Sequence, residues 1–286
     1  MFDILSYTFM QRALVASILI GAVCSIIGVY VVLKGMAFIG AGIAHASFGG
    51  VALGFLLSWN PIATATLFSL AGAMAIGAVS RRGQVREDTA IGIFFTAAMA
   101  SGILFIGLLR GYNVDVFGFL FGSVLAVTPR DLWLSGLLGL GVVVTVGLLY
   151  KELTFISFDP EMAQVVGVPA VPLYYLLLAL ISITVVISIR VVGVILVEAL
   201  IVTPAAAAYQ LTQDLRRMMV IAVGIGVTSA VAGLFASYWL NIASGATIVL
   251  AVTALFLVAA AVSPRRRRRR ARVTVAQEES PQCPTP

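Results

Sequence analysis

Histidine is almost missing from this 286-residue sequence, which has it only at position 45, and cysteine occurs only as Cys24 and Cys283. A single histidine excludes a His-Glu-x-x-His zinc centre. Two cysteines so far apart support neither a disulfide framework nor a thiolate metal cage. There is no Gly-rich loop ending in Lys-Ser or Lys-Thr, so the chain does not hydrolyse ATP by the P-loop route, and energy from nucleotide must arrive through a partner. A serine hydrolase needs its Ser beside a base; Ser47 lies two positions from His45, a spacing that does not share a helix face. Charge is scarce as well. Only 10% of residues are charged, against about 25% in soluble domains, which excludes a soluble single domain.

What is abundant is apolar sequence, 61% of the chain, gathered into runs long enough to cross a hydrocarbon core as helix, which takes about 20 residues. Nine candidate spans are read: Ala13 to Leu33, Gly35 to Trp59, Ile62 to Val79, Thr89 to Leu109, Leu132 to Tyr150, Val171 to Ile189, Val191 to Tyr209, Met219 to Trp239 and Ala246 to Val262. Only Arg190 separates the sixth from the seventh, with a turn needed near Gly193, so a count of eight stays open. Transmembrane strands would alternate over segments of about 10 residues, and these runs do not. The expected fold is therefore all-α, a polytopic transmembrane bundle of eight to nine spans. The first run has no small-residue cleavage site after it and is read as a span, not a signal peptide. Between the fourth and fifth spans, Val116 to Val127 is too short to cross and is read as a re-entrant or interfacial segment.

The net charge of +6 is mostly one tail: Arg265 to Pro286 holds seven Arg and two Glu. The chain thus divides into a membrane domain, residues 1–264, and a basic, disordered tail, residues 265–286. Lys34, then Arg81, Arg82 and Arg86, then Lys151, then Arg216 and Arg217, then the tail occupy alternate connections, so all can face the cytoplasm together, as the excess of basic residues in cytoplasmic loops requires. Arg265, Arg266, Arg267, Arg268, Arg269 and Arg270 are read as a topology anchor drawn to anionic lipid, not as a nucleic-acid site. An odd span count with the C-terminal tail in the cytoplasm puts the N-terminus outside; Arg12 argues against that, and a count of eight would relieve the tension.

Ionisable groups inside spans cost roughly 2.5 to 3.5 kcal/mol each on insertion scales and so mark function. Two stand out: His45, about ten residues into the second span among small residues, and Glu198, in the middle of the seventh, with no cation within a helical turn. The ordinary alternatives are a packing histidine bonded to a backbone carbonyl and a protonated carboxyl bonded to a neighbouring helix. Together, an imidazole and a carboxylate on different helices can converge on one divalent cation, their donors suiting zinc, manganese or iron. On the cytoplasmic side, Asp159 is placed as an N-cap, Pro160 at the first helical position and Gly167 at the end of a short helix. That helix leaves Met162, Val165 and Val166 available to a partner. Glu87 and Asp88 are read as acidic groups at the start of the fourth span, where a helix N-terminus favours them.

Several motifs in fixed order resemble one family. They are Phe9-Met-Gln-Arg-Ala-Leu14, Gly35-Met-Ala-Phe-Ile-Gly40 running into Ala44-His-Ala-Ser47, Arg86-Glu-Asp-Thr-Ala-Ile-Gly92 and Gly111-Tyr-Asn-Val-Asp115. Further on come Leu120-Phe-Gly-Ser-Val-Leu125, Ser157-Phe-Asp-Pro-Glu161 with Gly167, Thr203-Pro-Ala-Ala206 and Gly245-Ala-Thr-Ile-Val-Leu250. From Phe9 to about Val262 the sequence resembles the integral-membrane permeases of bacterial ABC importers for zinc, manganese and iron. The resemblance implies a type II ABC importer-like fold, a plasma-membrane location and a pathway formed with a second permease copy, as a homodimer or heterodimer. It implies a separate ATP-binding subunit, an extracytoplasmic metal-binding protein, and no cofactor held by this chain beyond the metal it carries. The helix holding Asp159, Pro160, Glu161, Met162, Val165 and Gly167 becomes the coupling helix that docks on the ATPase. Members of the family commonly place an Asp four residues before the His; here that position is Ala41, and Glu198 is the candidate for the carboxylate. The competing readings are a proton-coupled secondary transporter using His45 and Glu198 as a relay, and an ABC importer of a metal chelate such as siderophore-iron or cobalamin.

Overall fold

The computed structural model describes residues 7–82, 85–109 and 127–263. These form eleven helices: α1 (Thr8–Leu33), α2 (Ile39–Leu56), α3 (Pro61–Arg82), α4 (Glu87–Leu108), α5 (Pro129–Leu148), α6 (Tyr150–Phe158), α7 (Pro160–Val165), α8 (Ala170–Val192), α9 (Val194–Leu211), α10 (Leu215–Leu240) and α11 (Ser244–Val262). Nine of them are long and apolar enough to cross a membrane. The sixth and seventh spans are separate helices because Gly193, at φ 83° and ψ 167°, takes a conformation that side chains resist. The expected segment Val116 to Val127, the motifs within it and before it, and the Arg265 to Arg270 tail lie outside the described residues, Val127 excepted.

Helix ends shift from the sequence reading by up to about five residues, and two of the differences have a local reason. The second span begins at Ile39 and not at Gly35. Gly35 has φ +72° and receives the end of α1 in a Schellman turn, its N–H donating to the Val32 carbonyl while that of Met36 donates to Val31. The residues between the fifth span and Asp159, for which no helix is expected from sequence, form α6, whose Leu153 and Ile156 are fully buried.

The helices sort into two groups. In the first, α2 packs closely on α3 and α4, and α8 lies against α3. In the second, α9, α10 and α11 pack on one another, and α1 lies along α9 and α10. Contact in the first group is close because glycines remove the side chains that would hold the backbones apart. On α2, Gly49 faces the Ala98 carbonyl of α4, and Gly50 faces Ala65 and Thr64 of α3. The remaining span, α5, leans on α1 and α8. Its start is fixed by a capping box of Thr128 and Asp131, and the Asp131 carboxylate lies 3.4 Å from the Arg190 guanidinium at the far end of α8. Replacing Asp131 with Ala leaves the Thr128 cap on the backbone N–H of residue 131 and removes the reciprocal half of the box together with the pair. A whole cap is worth about 1 kcal/mol and a part-exposed pair about 1 kcal/mol or less, so Asp131→Ala is expected to lower the melting temperature of the solubilised chain by only a few degrees, read by a thermal-shift assay.

The turns bearing Lys34, Lys151 and Arg216 share one end of the bundle: Leu33, Ser157, Phe158, Tyr209 and Leu215 line one cavity of about 340 Å³. Arg216 lies over the Tyr150 ring, while Lys34 and Arg81 both lie near Tyr174. This basic end gathers the connections that the charge pattern assigns to one side.

Candidate metal site and docking helix

His45 sits two turns into α2, on the side that meets α4. Gly42, three residues before it, rests on the Ile91 side chain of α4, and Gly49, four residues after it, on the Ala98 carbonyl. Between these two close approaches the imidazole packs edge-on against Phe95 of α4, ring centres 4.4 Å apart. Its Nδ1 lies 2.9 Å from the Ala41 carbonyl oxygen. As a donor there, Nδ1 leaves the Nε2 lone pair free, the arrangement by which a histidine ligand is commonly oriented. Ala41 thus takes part at the position where the family resemblance expects a carboxylate side chain, through its backbone.

Glu198 comes from the other helix group. It lies one turn into α9, a helix bounded by the Gly193 break and carrying Pro204 in its interior. Proline lacks the N–H that would bond the carbonyl four residues earlier, which loosens the helix just beyond Glu198. The carboxylate Oε1 approaches His45 Nδ1 to 3.7 Å, too long for a hydrogen bond. This oxygen is buried and, among the described residues, has no hydrogen-bond partner. A buried polar atom without a partner costs on the order of 1 to 3 kcal/mol and needs an explanation.

The structure therefore brings together the two residues singled out in the sequence, at the seam between the helix groups. Neither is sealed off: the side chains are 16% and 32% exposed. Among the described residues no cluster of three or more His, Cys, Asp or Glu exists, so at this seam the described residues offer two side-chain donors and not a full cage. Cys24 belongs to another site, buried on α1 with its sulfur 3.4 Å from Ser188 Oγ. The donor set at the seam is nitrogen and oxygen only, which fits a borderline or hard divalent cation.

At the basic end, α7 forms as its sequence indicates. Asp159 Oδ1 accepts a hydrogen bond from the Met162 N–H at 2.9 Å, Pro160 starts the helix, and Gly167, at φ +90°, closes it in a second Schellman turn. The helix is seated by Ala163, fully buried, and turns Met162, Val165 and Val166 outward, 52%, 81% and 66% exposed. An exposed apolar face on so short a helix marks a contact surface. Asp159→Ala removes the cap, at about 1 kcal/mol; if α7 is the coupling helix that the family resemblance implies, this variant is expected to reduce retention of an ATPase subunit on purification, and unchanged retention would remove that role from α7.

Glu87 stands at the helix start where the sequence places it, but its bonding is not that of a cap. It lies in the first turn of α4, but no side chain caps that helix; its carboxylate accepts a hydrogen bond from the Tyr174 hydroxyl of α8 at 3.0 Å. A bond across 87 positions has no signature in local sequence.

The profile of the ABC 3 transport family matches residues 6–263. The manganese transport system membrane protein MntC of Halalkalibacterium halodurans is 43% identical over 92% of this chain and 90% of its own length. The manganese import system permease protein ScaB of Streptococcus parasanguinis is 37% identical over 91% of this chain and 92% of its own. Among solved structures, PsaBC from Streptococcus pneumoniae in complex with Fab superposes with a TM-score of 0.81 at 34% identity, covering 91% of this chain and 94% of that one.

Proposed function

The chain belongs to the ABC 3 transport family, and on that premise we propose that it is the permease subunit of an ABC importer for manganese, working as a pair of copies over two ATPase subunits. In this reading the basic end faces the cytoplasm, as the charge pattern requires, and α7 docks on the ATPase. A binding protein delivers Mn²⁺ at the opposite end, and His45 and Glu198 hold the ion in passage. The observation that carries the proposal is the meeting of the chain's one imidazole with a partnerless intramembrane carboxylate oxygen across two helices.

Two donors per copy suit transport better than storage. A closed set of ligands with matched geometry would hold the ion too long to release it, whereas a partial set leaves coordination positions for water or for the second copy. The carboxylate supplies charge against the cost of bringing a dication into the membrane. The imidazole, held by the Ala41 carbonyl, supplies a directional nitrogen. Manganese is favoured over zinc and iron by the relatives' cargo, while the donors admit all three.

The test is reconstitution in liposomes with the ATPase and the binding protein, followed by radioactive Mn²⁺ uptake. Uptake is expected to require ATP and all three components, with Mn²⁺ competed more strongly by itself than by Zn²⁺. Uptake by the chain alone, driven by a pH gradient and indifferent to ATP, would instead establish a secondary transporter.

A further inference from the structure

At the basic end, four elements meet around one phenol. Tyr174, on the second turn of α8, is 6% exposed and donates its hydroxyl hydrogen bond to Glu87 at the start of α4. Lys34, from the α1–α2 turn, lies 5.3 Å from the centre of its ring, and Arg81, at the end of α3, 5.9 Å. The ring is seated on α3 at Gly77, where an added Cβ would meet Tyr174 and Tyr175 at 3.2 Å. Burial holds the Lys34 ammonium below its ordinary range, against the pull of Glu87.

The position of this junction is informative. Tyr174 follows the exposed helix α7 by nine residues. Glu87 begins α4, which is clamped to α2 on both sides of His45 through Gly42 and Gly49. Because α4 and α2 are in backbone contact, a displacement of α4 carries His45 with it. Glu198 stands on α9, in the other helix group, so the same displacement changes the His45–Glu198 separation.

We propose that the Tyr174–Glu87 bond is a positioning strut that transfers movement of α7 and α8 to the α2–α4 pair and thereby opens or closes the two-residue metal site. Lys34 and Arg81 hold the phenol and carboxylate in register. The proposal rests on the reading of α7 as the ATPase-docking helix and of His45 and Glu198 as the site. A charge-assisted hydrogen bond is among the stronger single contacts available for this task.

The experiment measures Mn²⁺ imported per ATP hydrolysed by the complete complex in liposomes, for wild type, Tyr174→Phe, Glu87→Ala, Glu87→Gln and the double variant Tyr174→Phe/Glu87→Ala, with His45→Ala as control. Tyr174→Phe is expected to keep ATP hydrolysis and to lower the ratio about tenfold, the weight of one hydrogen bond to a charged group. Glu87→Gln keeps an acceptor for the phenol but not its charge and is expected to fall between wild type and Tyr174→Phe. The double variant should be no worse than either loss-of-bond single, since both remove one interaction. A purely structural role would lower the amount of assembled complex and leave the ratio unchanged, which would overturn the strut. If the ratio is unchanged in Tyr174→Phe while His45→Ala abolishes uptake, only the strut fails; wild-type uptake in His45→Ala overturns the site and the strut together.

Discussion

His45→Ala is expected to reduce Mn²⁺ uptake by the assembled complex by about 100-fold or more, and Glu198→Gln by at least about tenfold. The magnitudes follow from ligand chemistry: losing a group that merely orients a ligand already costs 10- to 100-fold in metal affinity, and in the proposed site His45 and Glu198, which meet at the seam, are themselves the donors. The two variants should differ in kind. Alanine at 45 removes the nitrogen donor and leaves a gap beside Phe95, where the ring now packs. Glutamine at 198 keeps an oxygen and its reach while removing the charge, so it isolates the electrostatic share of binding a dication in a low-dielectric setting. Both variants should assemble with the ATPase, because α7 and its exposed face lie at the basic end and not at the site. Uptake measured with radioactive Mn²⁺, beside ATPase retention on purification, separates these effects. Wild-type uptake in both variants would remove the metal site from this pair.

The same pair shows what the sequence makes legible. His45 and Glu198 are visible because an ionisable group in an apolar run is costly, and cost is a local property of sequence. Their meeting is not local: they stand 153 positions apart on helices from different groups. Only the packing of α2 against α9 brings them together. The helices themselves follow from run length and apolarity, and α7 from three residues with fixed roles, Asp159, Pro160 and Gly167. What was hidden divides into two kinds. The α6 helix is short and only half apolar, so neither length nor periodicity marks it before the chain folds over it. The Ala41 contribution is backbone, and a carbonyl is offered by every residue alike. The Ala41 side chain, read from sequence as a missing ligand, says nothing of the hydrogen bond that its carbonyl accepts from His45.

Glycine placement supplies the second large effect. Gly28 of α1 lies directly against the Ile201 carbonyl of α9, so that a methyl group at position 28 would overlap backbone and not a side chain able to turn aside. Overpacking of a core ordinarily costs about 1 to 3 kcal/mol, and more where the neighbour cannot move. Here the neighbour is the turn of α9 that follows Glu198, and Ile201 also touches Gly40 at the start of α2 through its Cδ1, 3.7 Å from where that glycine's Cβ would be. Gly28→Ala is therefore expected to push α9 away from α1, to lower the melting temperature by several degrees, and to cut uptake at least about tenfold because both halves of the site border the displaced turn. The control is Gly141→Ala on α5, where an added Cβ meets nothing within 4 Å and alanine relieves the helix-interior cost of glycine, about 0.5 to 1 kcal/mol. That variant should be as stable as wild type or slightly more so, with normal uptake. Equal behaviour of the two variants would mean that α1 and α9 do not approach through Gly28. A stable Gly28→Ala complex with lost uptake would show that the seam tolerates the shift while the His45–Glu198 geometry does not.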